Sequence, residues 1–306
     1  MTTRMHAGEY DVTPAVVADL VATQFPQWQS LPLQRVASGG TDNTIYRLGD
    51  TLAVRLPRID WAAPQVPIEC RWLPYLAPQL PIAIPAPLAQ GQPSAIYPWP
   101  WYIYPWLPGQ ALIQATDVDM PQFAHDLANW VRALHRIETR DGPRAGMANH
   151  GRGLPLTHEN RDTRTRQHIA QCADFFDTDM MMRMWLDAIA TPAWAGDPVW
   201  VHGDLNAGNV LVSAGRLSAV IDFGCMGIGD PAVDLLAAWD VRGDATYRQV
   251  FRQAIGYDAD TWGRGRAWAF SVAVIALPYY RNTNPVITAT AQQVITATMA
   301  DWQTTR

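Results

Sequence analysis

The sequence predicts an α+β protein in which a small antiparallel sheet comes first and a mainly helical part follows. Short strand-like runs occupy residues 33–37, 44–48 and 52–56, and Gly49-Asp50 between the last two is typical of a tight hairpin turn. From residue 116 onward, apolar residues recur instead at the spacing of an α-helix. This change of period indicates two structural parts, which we place at residues 1–105 and 106–306.

The first part contains a packing helix and a proline-rich end in addition to the three strands. Residues 14–25 place Val17, Leu20 and Val21 on one helical face, with Thr13 as the expected cap. Residues 80–105 contain strand-like runs that prolines interrupt, which predicts edge strands, because proline cannot donate a ladder hydrogen bond. We expect an extended apolar segment at 102–109 to connect the two parts.

The second part is expected to consist of helices and one long loop. Residues 140–166 are rich in Gly, Arg and Pro and show almost no hydrophobic period, which predicts a loop that is functional or mobile. The arginines of this loop could reach a phosphate or a partner, or could simply be solvated. The predicted helices cover about 116–137, 165–176, 179–190, 231–239, 245–255, 259–277 and 285–302.

Composition excludes several classes of function. The chain has 306 residues, of which 48% are hydrophobic, so it is long enough to bury a core in each part. Its net charge of -5 argues against a nucleic-acid or anionic-membrane surface, since both need clustered Lys and Arg. The sequence contains neither an apolar stretch of about eighteen residues nor a basic-then-apolar leader. We therefore expect a cytoplasmic protein that is a monomer or a weak homodimer.

Residues 200–224 carry the polar side chains that best indicate a function. A short strand precedes His202 and Asp204, and a hairpin of two strands separates Asn209 from Asp222. Because a hairpin brings its ends together, Asn209 and Asp222 can face one point in space. Their oxygens suit a hard cation, and Asp204, outside that set, can accept a proton. The alternative, an ordinary turn and an ordinary strand exit, requires four polar residues to fall at this spacing by accident.

The run HGDLNAGNVL followed by IDFG resembles the catalytic and metal-binding loops of the aminoglycoside phosphotransferase and choline kinase family, which is itself similar to protein kinases. Gly203 stands where a protein kinase usually has arginine. The resemblance implies a two-lobed protein-kinase-like fold and transfer of the γ-phosphate of ATP or GTP to a substrate hydroxyl with Mg²⁺. It also implies roles for five residues: Asp204 as the base, Asn209 and Asp222 as metal ligands, and His202 and Asp234 as structural supports.

The resemblance further implies nucleotide-binding residues in the first part. Arg55 stands at the position of the kinase lysine, a departure that resembles the macrolide kinase branch. Glu69 is the expected ion-pair partner of Arg55, unless it is a solvated helix residue. The backbone near Tyr104 and Trp106 is expected to bind the purine, although the two rings could instead pack the parts together. A glycine turn, which could cradle phosphates or form a plain hairpin, contains Ser38, Gly39, Gly40, Thr41 and Asn43.

The acceptor candidates lie in the last hundred residues. In relatives the substrate binds between such helices and the catalytic loop, which implies a set of pocket residues, any of which could be structural: Trp239, Asp240, Asp244, Tyr279 and Tyr280. Few acidic residues cluster there, which disfavours a polycationic aminoglycoside, while the aromatic side chains favour a larger and less polar molecule.

Three functions stay open at this point. The acceptor could be an antibiotic of the aminoglycoside or macrolide type, or a metabolite such as an amino alcohol or a sugar, because a fold does not define a substrate. The alternative of another class is a non-catalytic nucleotide-binding scaffold, which the arginine at position 55 makes conceivable.

Overall fold

The computed structural model of this chain describes residues 8–36, 42–241 and 244–305. The chain divides into two compact units. The first comprises Met1–Pro108 and Ala219–Gly224, and the second comprises Gly109–Ser218 and Cys225–Arg306. The short segment Ala219–Gly224 assigns Asp222 to the first unit, whereas the rest of the motif belongs to the second.

In its described residues, the first unit is an antiparallel sheet with two α-helices. Its strands are β1 (Leu33–Arg35), β2 (Asn43–Leu48), β3 (Leu52–Pro57), β4 (Ala89–Gly91) and β5 (Trp101–Pro105), and its helices are α1 (Pro14–Gln24) and α2 (Gln65–Leu76). The five strands are ordered β1-β2-β3-β5-β4, so β3 is central. All six residues of β3 are buried, which places the charged side chain of Arg55 in the interior.

The core of the first unit forms between α1 and the sheet. Val17, Leu20 and Val21 of α1 are buried and cluster with apolar side chains of β2 and β3 such as Tyr46 and Val54. The helix begins as the sequence predicts, because the Thr13 side chain accepts a hydrogen bond from the N–H of Val16 at 3.3 Å.

The second unit is mainly helical and has short strands beside the helices. Its helices are α3 (Met120–Arg136), α4 (Glu159–Ala170), α5 (Thr178–Ala190), α6 (Ala237–Asp240), α7 (Ala245–Ile255), α8 (Ala259–Tyr280) and α9 (Pro285–Thr304). Its strands are β6 (Gln110–Ala111), β7 (Val199–Val201), β8 (Val210–Ser213), β9 (Arg216–Val220), of which the last two residues belong to the first unit, and β10 (Gly227–Gly229). β7 pairs with β10, and β8 lies between β6 and β9.

Several elements differ from the sequence prediction. α4 begins at Glu159, inside the predicted loop. The sequence does not predict this start, because the buried face of α4 consists of Arg161, Thr165 and Ile169 and carries only one apolar side chain. α3 begins at Met120, where Asp119 caps it, rather than at 116. The helix predicted at 231–239 is a 3₁₀ segment, Pro231–Leu236, followed by α6. The sequence does not predict β10.

The α+β class predicted from the sequence is confirmed: strands dominate the first unit and helices dominate the second. Within the described ranges, no helix is both long and apolar enough to cross a membrane.

Candidate active site

The Asp204 carboxylate of the second unit lies in the loop that follows β7 and is held from two sides. Its Oδ1 accepts a hydrogen bond from Nη2 of Arg152 at 3.3 Å. Its Oδ2 accepts hydrogen bonds from Nδ2 of Asn206 at 3.1 Å and Nδ2 of Asn209 at 3.0 Å. The Asp204 side chain nevertheless remains 30% exposed. This carboxylate is therefore oriented by protein groups and still accessible to a substrate.

Asn209 presents an oxygen that can bind a cation. Its Nδ2 donates to both the backbone oxygen and Oδ2 of Asp204, at 2.9 and 3.0 Å. This orientation leaves Oδ1 of Asn209 as an acceptor with no donor among the described residues. Neutral amide oxygens suit a hard cation such as Mg²⁺, which usually takes only one or two protein ligands besides phosphate and water. The donor set of the loop therefore fits the metal that the sequence implies.

The side chain of Asp234 holds the loop that carries Asp204. Its buried carboxylate accepts hydrogen bonds from the N–H of His202 at 3.0 Å and from the N–H of Gly203 at 2.7 Å. Nε2 of His135 also lies 3.0 Å from Asp234. Nδ1 of the buried His202 in turn accepts from the N–H of Asp204 at 3.2 Å, which fixes that ring nitrogen as unprotonated. The turn that carries Asp204 is thus fixed by side chains on both sides.

Gly203 is required by this turn. Its φ is +82°, a conformation that side chains rarely adopt. A Cβ at this position would also lie 2.6 Å from the backbone oxygen of Cys225 and 2.9 Å from Cβ of Arg152. The arginine that protein kinases usually have here cannot be accommodated, so glycine is a consequence of close packing.

Arg152 and Asn206 are contacts of Asp204 that the sequence does not predict. Arg152 is only 9% exposed, and its guanidinium lies 6.0 Å from the ring centroid of Trp268. Arg152 belongs to the predicted loop at 140–166, which has no hydrophobic period and several other arginines. No sequence signal separates Arg152 from these neighbours.

In the first unit, Arg55 and Glu69 form a buried ion pair, with side chains that are 7% and 1% exposed. Nη1 of Arg55 contacts Oε2 of Glu69 directly. Burial raises the pKa of Glu69 to about 7, although the guanidinium of Arg55 opposes this shift. Burial acts to lower the pKa of Arg55, but the Glu69 carboxylate and smaller contributions, including that of Asp222, raise it above its ordinary value.

Asp222 approaches the same arginine. Its Oδ1 lies 3.5 Å from Nη2 of Arg55, and its side chain is 43% exposed. Asp222 has a φ of +64°, in the left-handed region that non-glycine residues adopt at a cost of about 1 kcal/mol. The carboxylate at the end of β9 is therefore presented to solvent by a strained backbone.

The other nucleotide-side candidates are placed as follows. Tyr104 lies in β5 opposite Ala53. The N–H of Trp106 donates to the backbone oxygen of Thr51 at 2.8 Å, so only the carbonyl of Trp106 is left for a purine. Asn43 begins β2, and its buried Oδ1 has no hydrogen-bond donor within the described residues. Ser38, Gly39, Gly40 and Thr41 lie outside the described residues.

The acceptor candidates are not brought together as one cluster. Trp239 is buried and packs against Trp262 at a ring distance of 4.7 Å, so its side chain belongs to the core. Tyr279 and Tyr280 end α8, and Tyr279 is exposed. Asp244 caps α7 by accepting from the N–H of Thr246 at 2.7 Å.

Among the acceptor candidates, Asp240 lies near enough to Asp204 for the two carboxylates to interact electrostatically. It is half-buried at the end of α6. The pKa of Asp240 is raised to about 7, mainly by burial and also by the nearby Asp204 carboxylate, while Arg152 opposes the shift. Among the described residues, no group of three or more His, Cys, Asp or Glu side chains is placed to hold a metal ion. A metal here would rely on few protein ligands.

Strands followed by helices, with a supported aspartate in an HGD loop and a second aspartate in an IDFG run, define a kinase-like phosphotransferase. The model of the phosphotransferase enzyme family, APH, matches residues 33–268, and the chain belongs to this family. The family, the kinase-like fold and the phosphotransferase class predicted from the sequence are confirmed.

Solved structures agree with this fold. The GDP complex of aminoglycoside 2'-phosphotransferase-IIIa is 20% identical, with a TM-score of 0.69 over 93% of this chain and 98% of that chain. The ADP-bound aminoglycoside phosphotransferase APH(2'')-Ib is 16% identical, with a TM-score of 0.61 over 95% and 99%. Macrolide 2'-phosphotransferase MphH from Brachybacterium faecium is 24% identical, with a TM-score of 0.59 over 91% and 97%. No curated protein matches the chain.

Proposed function

We propose that this protein transfers the γ-phosphate of ATP or GTP to a hydroxyl of a small molecule of the aminoglycoside or macrolide type. The observation that carries the proposal is the Asp204 carboxylate, which three N–H donors orient while 30% of its side chain stays exposed. A base that removes a proton from a substrate must combine a fixed orientation with access for the substrate.

In the proposed reaction, Asp204 accepts the proton of the acceptor hydroxyl. The hydroxyl oxygen bonds to the γ-phosphorus while the bond between that phosphorus and the β,γ-bridging oxygen breaks, and the nucleoside diphosphate leaves with that oxygen. Asn206 and Asn209 hold Asp204 through their N–H groups, and Asp234 holds the turn. These residues provide position, which is most of what a protein contributes to phosphoryl transfer.

Oδ1 of Asn209 and the carboxylate of Asp222 are the proposed ligands of Mg²⁺. The order and spacing of the motif in the sequence support this pairing. Bound Mg²⁺ would neutralise charge on the nucleotide phosphates. The proposed nucleotide contacts are Arg55, which Glu69 braces, residues 38–43 and the backbone near Tyr104 and Trp106. Because cells hold ATP and GTP in the cytoplasm, we propose the cytoplasm as the location of the reaction.

The acceptor assignment draws on relatives and on composition. One similar solved structure is the GDP and kanamycin complex of an APH(2") enzyme, and another is a macrolide 2'-phosphotransferase. Identity is slightly higher with the macrolide enzyme and the TM-score is higher with the aminoglycoside enzyme. Asp240, a half-buried carboxylate near Asp204, is a proposed contact for an amine of either antibiotic type. A metabolite kinase remains the second candidate, because a fold does not define its acceptor.

A phosphate-transfer screen tests the proposal. Aminoglycosides, macrolides, amino alcohols and sugars are each incubated with ATP or GTP, with and without Mg²⁺, and phosphorylated products are measured. We expect Mg²⁺-dependent product with an antibiotic, and a loss of roughly 10³-fold in kcat for D204N, because the base is removed. The matched control is D19N, which alters an exposed aspartate of α1.

Each other outcome points to a different function. Product only with an amino alcohol or a sugar would favour the metabolite kinase. Nucleotide-induced thermal stabilisation without any product would favour the scaffold. If D204N transferred phosphate as fast as D19N, the role proposed for Asp204 would be wrong.

A further inference from the structure

We infer that Arg152 is a positioning residue for phosphotransfer, because its guanidinium fixes the plane of the Asp204 carboxylate. The inference rests on the proposed function, since it concerns the same carboxylate. It adds a residue that the HGDLNAGN motif does not contain, from a segment 52 residues earlier in the chain.

The two oxygens of Asp204 are held by different parts of the chain. Asn206 and Asn209, which donate to Oδ2, belong to the same loop as Asp204. Arg152, which donates to Oδ1, comes from outside that loop. A carboxylate that is bonded through one oxygen can turn about its Cβ–Cγ bond, since this torsion has a broad minimum. The contact from Arg152 is the one that stops this rotation.

The backbone presents Arg152 rigidly. The buried Asn149 donates from Nδ2 to the backbone oxygen of Arg152 at 2.9 Å and to that of Cys225 at 3.3 Å. On the other side, the backbone oxygen of Gly153 accepts from the N–H of Asp230 at 2.9 Å. The N–H of Arg152 also donates to the backbone oxygen of Asn149 at 3.1 Å. Arg152 is thus anchored before and after its own Cα, which a solvated surface arginine does not need.

The loop around Asp204 leaves room for this side chain. Because Gly203 has no side chain, the stem of Arg152 can pack directly on it, and a Cβ at 203 would lie 2.9 Å from Cβ and 3.2 Å from Cγ of Arg152. The position that carries arginine in protein kinases is therefore glycine here, and a guanidinium reaches Asp204 from a different segment.

The hydrogen bonds of Arg152 are those of a residue that orients Asp204 rather than one that stabilises the fold. Its Nε and Nη1 are buried and have no acceptor within the described residues. Buried donors without acceptors destabilise a fold, so Arg152 is poorly explained by stability alone. The buried Arg264, in contrast, donates to Asp230, to Thr261 and to the backbone oxygen of Pro192.

The test compares R152Q and R152K with the wild type and with R161Q. Arg161 is a matched control, because it is also buried and lies over Trp268 at 4.5 Å, yet it donates to Ser271 and to the backbone of His150 rather than to Asp204. We measure kcat, the KM of both substrates, nucleotide affinity and unfolding midpoints. Crystal structures of the wild type and R152Q report the Asp204 orientation independently of activity.

We expect R152Q to lower kcat about 30- to 100-fold, with KM values and nucleotide affinity within about threefold, because misorientation affects the reacting step. R152K should recover most of kcat, since its ammonium can still donate to Oδ1. R161Q should lower the unfolding midpoint but keep kcat within about threefold. In the R152Q crystal, the Asp204 carboxylate should be rotated from its wild-type plane.

The inference is overturned if R152Q keeps kcat within about twofold of the wild type, or if R161Q lowers kcat as much as R152Q does. A wild-type protein that phosphorylates no acceptor would refute the proposed function instead. The crystal structures would then decide on Arg152 alone: an unrotated Asp204 in R152Q overturns the positioning role, and a rotated one supports it.

Discussion

Each unit of this protein pairs an arginine with a carboxylate, and the two pairs differ in burial. In the first unit, the side chains of Arg55 and Glu69 are 7% and 1% exposed. In the second, those of Arg152 and Asp204 are 11% and 30% exposed. Both arginines are inside the protein, so the difference lies in the carboxylates. Glu69 is enclosed with its partner, whereas Asp204 keeps a face that a substrate can reach.

The difference shows how one pair of residue types serves two purposes. A fully enclosed pair braces the fold, because loss of either member leaves a charge in a medium that solvates it poorly. A half-exposed pair contributes less to stability, since water screens it, but it orients a reactive group. Exposure of the carboxylate therefore separates structural from chemical use.

The largest expected effect tests the enclosed pair. In E69A, Arg55 loses its closest counter-charge and keeps only Asp222 at 3.5 Å. We expect the free energy of unfolding to fall by about 3 kcal/mol, which urea denaturation measures. The control is E138A, which removes an exposed glutamate, with little change expected. Equal stability of the two variants would contradict the bracing role of Glu69.

The next effect sharpens the description of the half-exposed pair. In G203A, the new methyl group meets Cys225 and Arg152 at a residue with a φ of +82°. Gly256 has a similar φ of +72° but no atom within 4 Å of a Cβ, so G256A isolates the backbone cost. We expect G256A to lose about 1 kcal/mol and G203A about 2 kcal/mol or more, together with most of the activity. If G203A is as stable and active as G256A, the position of Arg152 does not depend on the absence of a side chain at residue 203.

The smallest effect concerns Asp240, which lies near the half-exposed pair. Because its pKa is raised to about 7, the folded protein retains a proton that the unfolded chain has released. Its contribution to stability is therefore complete at low pH and is lost as the pH rises from about 4 to about 7. D240N cannot titrate, so its stability relative to the wild type should rise by about 1 kcal/mol between pH 6 and pH 7. A constant difference across this range would contradict the raised pKa.

The sequence predicts the elements whose buried faces are apolar. α1, α7, α8 and α9 begin where a cap or a proline indicates, and they end within three residues of the predicted position. The start of α4 is missed because a buried Arg161 and a buried Thr165 replace apolar side chains on its inner face. Arg161 packs on Trp268 of α8, and Thr165 is hydrogen-bonded to Ser271 of α8. No local sequence pattern indicates these contacts.

In the candidate site, too, the sequence predicts the residues that have a local signal and misses those that have none. Asp204, Asn209 and Asp222 stand out because they share a short motif with fixed spacing. The contact between Arg55 and Glu69 is expected from the family resemblance, and the structure contains it. Arg152 does not stand out, because its partner is 52 residues away and its own segment has no period. Trp239 is a candidate by its position in the chain, but its ring is enclosed. Local spacing therefore finds most of the residues within one loop, with Asn206 as the exception, and misses those that come from elsewhere.

Because of the backbone conformation at Asp222, selection for stability and selection for activity should favour different residues at this position. Glycine would adopt the φ of +64° without cost, and the contact of Asp222 with Arg55 is too exposed to offset much of the strain. A library that is sorted only for folded, soluble protein should therefore drift toward glycine at this codon, while a library sorted for phosphate transfer should retain the carboxylate. The ratio of the two residues in such populations would report which property the sorting rewarded.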